Sequence, residues 1–204
     1  MSLVDAFASR AHYAAHIAPI WDALPDEIRG TFYGEFGTAK LPKPGTPGGP
    51  VIVAGHVDRH RLEGRPVILV EHGVGQSYPG DPLSADNGSY PGGGGWDHAV
   101  LFICPSERVA QMWRAKYSAP AVVAGCAALD RWHDVSPAST TRPIVAFAFH
   151  WDCLLVAESR TAFPHYQRAM PEIIEGLDKA GYAVVGHSHP RWRRTLSHRW
   201  HDWG

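Results

Sequence analysis

The chain has 204 residues, 45% of them hydrophobic and 19% charged, enough to bury a core and too apolar for a disordered polyelectrolyte. A formal net charge of −1 excludes the broad electrostatic footprint of a nucleic-acid binder. There is no run of eighteen apolar residues, and Met1-Ser2-Leu3-Val4-Asp5 has neither a basic nor an apolar leader region, so no membrane span and no signal peptide are expected.

Leu3, Phe7, Ala11, Ala14, Ala18 and Trp21 recur near a 3.6 period, which predicts a helix over 3–29 with breaks at Pro19 and Pro25. The Pro- and Gly-rich stretch 40–50 is a loop. Short apolar runs at 51–54 and 66–70, each bounded by breakers, predict strands buried on both faces of a parallel sheet. Residues 75–95, ending in four glycines, are irregular and long enough to form a functional lid. A strand at 99–104 precedes a helix that starts at the N-cap candidate Ser106 and runs to about Lys116, and 121–124 is the next strand. The polar segment 134–142 predicts a linker. Beyond it come a strand at 144–149, a helix at 166–180 with Met170, Ile173, Ile174 and Leu177 on one face, and a strand at 182–185. The predicted organisation is an α/β chain: a domain over 1–134, a linker over 135–142 and a second α/β block over 143–204.

Ligands of open α/β sheets sit beyond the carboxyl ends of the strands. Four polar or glycine-rich segments follow strands in that way, beginning at Gly55, Glu71, Gly125 and His187. His72 is the candidate general base, since an imidazole beside glycines can take a proton from an attacking hydroxyl. Gly73, Gly75, Gln76, Ser77 and Tyr78 follow it as cleft-lining candidates, joined by His150 and His187 at strand ends of the second block. His189 and Arg191, backed by Arg193 and Arg194, form a cationic group suited to phosphate. His12 and His16 share a helix face, but no HExxH arrangement surrounds them, and Cys104, Cys126 and Cys153 are too far apart for a paired-cysteine zinc site. Free thiols fit a reducing, cytoplasmic setting, and no metal site is expected.

Residues 70–78, Val-Glu-His-Gly-Val-Gly-Gln-Ser-Tyr, resemble the His-Gly segment of CDP-glycerol glycerophosphotransferases. Cys104-Pro105-Ser106-Glu107 with Gly125 and Leu129-Asp130 is similar to a stretch shared by that family, UDP-N-acetylglucosamine 2-epimerases and other GT-B glycosyltransferases. His189-Pro190-Arg191 resembles the turn of their second domain. The likeness covers about 51–191, with Ala127 standing where the family pattern has proline. The resemblance implies a GT-B-like fold: a Rossmann-like, acceptor-side N-terminal domain with a parallel sheet, and a partial Rossmann-like donor domain. The family's later acidic, serine-rich segment is not among the 204 residues, which implies C-terminal truncation relative to the family.

By the same resemblance His72 is the base, while His189, Arg191 and Gly125 hold donor phosphates. The implied reaction is transfer of a glycosyl or glycerophosphate group to an acceptor hydroxyl from a nucleotide-diphospho donor, CDP-glycerol or an NDP-sugar. No cofactor is required, and an oligomer or a completing chain is a candidate partner. Two alternatives stay open. One is a non-catalytic or remnant nucleotide-sugar-binding module. The other is a calcineurin-like metallophosphoesterase, favoured by Gly186-His187-Ser188-His189 with His56, Asp58 and His60 as further ligands, although that family's Gly-Asn-His motif is absent.

Overall fold

A computed structural model describes residues 2–34, 37, 39–41, 43–55, 58, 61–72, 96–136, 139–149 and 161–188. The chain forms two compact units, Met1–Val135 and Ser136–Gly204. The first is an α/β unit, Rossmann-like in general, around a sheet of six strands. These are β1 (Val4–Ala8), β2 (Arg29–Gly34), β3 (Val51–Val53), β4 (Val67–Val70), β5 (Ala99–Cys104) and β6 (Ala121–Val123). Their spatial order is β2-β1-β3-β4-β5-β6, and all neighbours run parallel.

The pleat sorts each strand's residues between two cores. Phe7, Val51, Val53, Val67, Leu69, Phe102 and Cys104 join a cluster with Val109, Ala110 and Trp113 of helix α2 (Glu107–Arg114). The alternate residues Ala6, Ala8, Ile52, Ala54 and Val70 join Tyr13 and Ile17 of helix α1 (Ala11–Asp22) on the opposite face. Helices thus cover both faces, the arrangement that lets strands be apolar throughout. Burial at about 25 cal/mol per Å² makes this double layer the main source of stability.

The chain passes from β1 to β2 on one side, then returns to place β3 on the other side of β1. The point between β1 and β3 is therefore a topological switch, where the carboxyl edge of such a sheet opens into a crevice.

The opening segment differs from the helix predicted over 3–29. Val4–Ala8 is a strand, and the helix begins only at Ala11. The four-residue spacing of Leu3, Phe7 and Ala11 imitates a helical stripe, but the alternation of Val4, Ala6 and Ala8 against Asp5 and Phe7 is the one realised. Asp5 fixes the strand. Its Oδ1 accepts the Thr31 N–H at 2.7 Å, and its Oδ2 accepts from Arg65 Nη2 at 2.6 Å. Arg65 also donates to the Gly49 carbonyl at 2.7 Å, tying together the amino ends of β1, β2, β3 and β4. Pro19 does not end α1, which continues to Asp22 while Ala18 and Trp21 pack on its core. Strand β2 begins at Arg29, the last residue of the predicted helix.

In the second unit β7 (Ile144–Phe149) pairs in parallel with β8 (Ala183–Ser188). The helix predicted over 166–180 is α4 (Met170–Lys179), preceded by the short α3 (Phe163–Tyr166), each with proline in its first turn, where a missing N–H costs least. Phe149 lies 5.3 Å from the Phe163 ring and 5.9 Å from that of Tyr166. Arg142 donates to the carbonyls of Asp178, Gly181 and Tyr182, fastening the entry of β7 to the turn before β8. Among the described residues no helix is long and apolar enough to cross a membrane.

Candidate active site

Strand parity decides which groups meet at the carboxyl edge of the first unit. Glu71 continues the ladder beyond β4, its N–H donating to the Ile103 carbonyl. Residue 71 falls on the side of Leu69 and Cys104, and residue 72 on the side of Val70 and α1. The His72 ring accordingly stands among side chains of α1. Its centroid is 5.2 Å from Tyr13 in an edge-on arrangement, 6.2 Å from His12 and 6.4 Å from His16. Tyr13 and His12 are 4.1 Å apart.

Neighbouring segments complete the wall. Gly55, just after β3, lies so close to Tyr13 that a Cβ there would overlap the ring. After β6, Gly125 turns with φ +74°, a left-handed conformation that favours glycine. The following Cys126 places its Sγ 3.7 Å from His16 Nδ1, and the 3₁₀ helix Ala127–Trp132 packs against α1. Asp58, 1% exposed, accepts the Ser9 N–H at 3.2 Å on Oδ2.

Burial and like-charge crowding set the protonation of these groups. Burial, followed by repulsion from His12 and His16, pushes the His72 pKa down to about 4, against a hydrogen bond to the Ala54 main chain. Since that bond favours the imidazolium, the ring is its donor, and the other ring nitrogen carries a lone pair at neutral pH. His16 is also shifted down, by burial first and then by His12 and Arg131. Glu71 moves the other way. Burial lifts its pKa to about 8, the His72 N–H only partly opposing this, and among the described residues its Oε1 has no hydrogen-bond partner. Asp58 is likewise raised by burial, against its bond from Ser9 and the charges of Arg61 and Arg10. The edge therefore holds neutral imidazoles on one face of β4 and a largely protonated carboxyl on the other.

Of the residues singled out from sequence, His72 stands at this edge and Gly125 lies in the turn after β6, next to the Cys126 that reaches His16. His187 is not in a turn after the last strand; it lies within β8, exposed and opposite Ala148, because that strand runs three residues beyond the predicted 185. Gly73, Gly75, Gln76, Ser77, Tyr78, His150, His189 and Arg191 lie outside the described residues, as do His56 and His60. Among the described residues no group of three or more His, Cys, Asp or Glu side chains is placed to hold a metal ion.

Sequence reasoning saw His12 and His16 as one helix face but did not place them at His72, and it missed Tyr13. The signal was present in Val4–Ala8. A strand there puts the first turn of α1 at the carboxyl edge of β1. No family model matches the chain, and no curated protein or solved structure matches it either.

Proposed function

We propose that the chain is a GT-B-type transferase with a Rossmann-like acceptor-side unit and a partial donor-side unit, moving a glycosyl or glycerophosphate group from CDP-glycerol or an NDP-sugar to an acceptor hydroxyl. One observation carries this reading: a neutral His72 at the carboxyl edge beside the β1/β3 switch, one ring nitrogen anchored on Ala54 and walled by α1.

The acceptor oxygen forms the new bond to the transferred carbon or phosphorus. The nucleotide leaves with the bonding pair, and the acceptor's proton passes to the ring nitrogen of His72 that does not face Ala54. His189 and Arg191 take the departing phosphate by resemblance to the family. Tyr13 and Gly55 act on the ring rather than the substrate, holding His72 in orientation.

Thermal-shift measurements with CDP-glycerol and with UDP-, GDP- and CDP-sugars test the donor class. Stabilisation by at least one is expected, and none at millimolar concentration overturns the reading. His72→Ala is expected to lower the rate of nucleotide release by roughly 10²–10⁴ while keeping the donor-induced shift. Donor binding without turnover by the wild type favours a non-catalytic binding module.

A further inference from the structure

The second unit carries a cavity that the transferase chemistry does not use. It holds about 510 Å³, within the range of small-ligand sites, and lies where α4 meets the start of β8. Ligands of a parallel sheet are expected beyond the carboxyl ends of its strands. Tyr182, Ala183 and Val184, which line the cavity, stand at the opposite end of β8. That strand has six residues, so the two ends lie roughly 17–20 Å apart. We propose that the cavity binds a free α-amino acid with an apolar side chain, its carboxylate on Arg142 and its ammonium on Asp178. The site goes beyond the transferase reading and does not depend on it.

Arg142 is fixed before any ligand arrives. Its Nε donates to the Gly181 carbonyl at 3.2 Å, and its Nη2 donates to the carbonyls of Asp178 and Tyr182. Nε and Nη2 share one edge of the planar guanidinium, and the main chain occupies that edge. Nη1 has no partner among the described residues, and a fixed guanidinium with unused N–H groups suits a carboxylate. Nη2 also meets Asp178 Oδ1 at 2.8 Å, and Oδ2 has no partner among the described residues.

A cation and an anion are thus held side by side, as an α-amino acid carries its own two charges on one carbon. An ion of one sign fits less well. A lone carboxylate on Arg142 meets the charge of Asp178, and a lone ammonium on Asp178 meets that of Arg142. Glu175 lies on the same helix face one turn earlier and is matched by Lys179, so the lining is close to neutral and a zwitterion keeps it so.

The side chains of Arg142 and Asp178 are 41% and 68% exposed, so a ligand reaches their charges without any movement of the fold. Exposed charges alone contribute little. The apolar walls formed by Pro171, Ile174, Tyr182 and Val184 supply the rest, since the gain from covering a ligand side chain grows with the apolar area removed from water.

The test is amide NMR of the full chain titrated with L-leucine, L-phenylalanine, glycine, leucinamide and 4-methylpentanoate. Glycine lacks the apolar body, leucinamide the carboxylate, and 4-methylpentanoate the ammonium. Saturable shifts at Ile174, Asp178 and Tyr182 are expected with leucine or phenylalanine, and the three analogues should bind at least about tenfold more weakly. Asp178→Asn keeps the side-chain shape and an acceptor for Arg142 while removing the charge, and should weaken the amino acid about tenfold. The ligand panel uses the wild type and decides the matter even where that variant does not fold. No saturable shift by either amino acid at millimolar concentration, equal binding by any of the three analogues, or shifts confined to residues away from α4 and the start of β8 overturns the proposal. None of these readouts involves donor binding or turnover, so this site and the transferase reading fail separately.

Discussion

The two ends of the six-stranded sheet both bury charge, and they treat it in opposite ways. At the amino end Asp5 and Arg65 meet at 2.6 Å, with Thr31 and Gly49 taking up the remaining bonding capacity. Every contact there joins one strand entrance to another, and the network acts as a structural lock. At the carboxyl end, imidazoles are pressed together and two carboxyls are buried, each with an oxygen that finds no partner among the described residues. One end spends its charges on holding the sheet, and the other keeps its groups in protonation states that water would not give them. Perturbed groups at a crevice mark a candidate for function, while satisfied ion pairs mark a fold.

Breaking the lock should have the largest effect. Arg65→Ala leaves the Asp5 carboxylate buried beside an orphaned Gly49 carbonyl, and urea unfolding should show a loss of about 3–5 kcal/mol. Gly55→Ala forces a methyl into the Tyr13 ring, and the expected loss is up to about 3 kcal/mol, with the His72 resonance displaced as Tyr13 moves.

The carboxyl end should also be visible as pH dependence. Glu71 has a folded pKa near 8, above its unfolded value, so the folded state binds the extra proton and stability falls as pH rises toward 8. His72 has a folded pKa near 4, below its unfolded value, so its contribution is lost as pH falls below about 6.5. The two oppose each other in mildly acid solution. Between pH 6.5 and 8 only the Glu71 effect of this pair remains, about 2 kcal/mol. Denaturant midpoints across this range should fall in the wild type and stay level in Glu71→Gln. A wild-type midpoint that rises would show that the carboxyl is ionised. The smallest effect is expected from Cys126→Ser. Its thiol is half-buried and 3.7 Å from His16, so stability should change by less than about 1 kcal/mol while the His16 titration shifts.

How far the sequence revealed these features depended on whether local pattern and tertiary context agreed. Residues 51–53, 67–70, 99–104 and 121–123 read as strands because unbroken apolar runs between breakers have few other homes. The opening segment deceived because Leu3, Phe7 and Ala11, four residues apart, satisfy both periods. Only pairing of Val4–Ala8 with β2 and β3 decides between them. β2 itself carries Arg29, Gly30 and Gly34, and at the edge of the sheet it needs little apolar pattern. Misreading β1 also hid the site. His72 was legible from its glycines, whereas His12, Tyr13 and His16 belong to it only once α1 starts at the end of a strand. The opposite shifts of Glu71 and His72 come from burial, which adjacent letters in a sequence do not encode.

The pleat at the end of β4 has a further consequence. Glu71 and His72 are covalent neighbours that inhabit different solvents, separated by the thickness of one sheet. Substitutions at the two positions should therefore add almost independently, and each face can be varied without retuning the other. A one-residue deletion within β4 would be another matter. It would carry the carboxyl to the α1 side and the imidazole to the Cys104 side, exchanging acid and base by geometry alone.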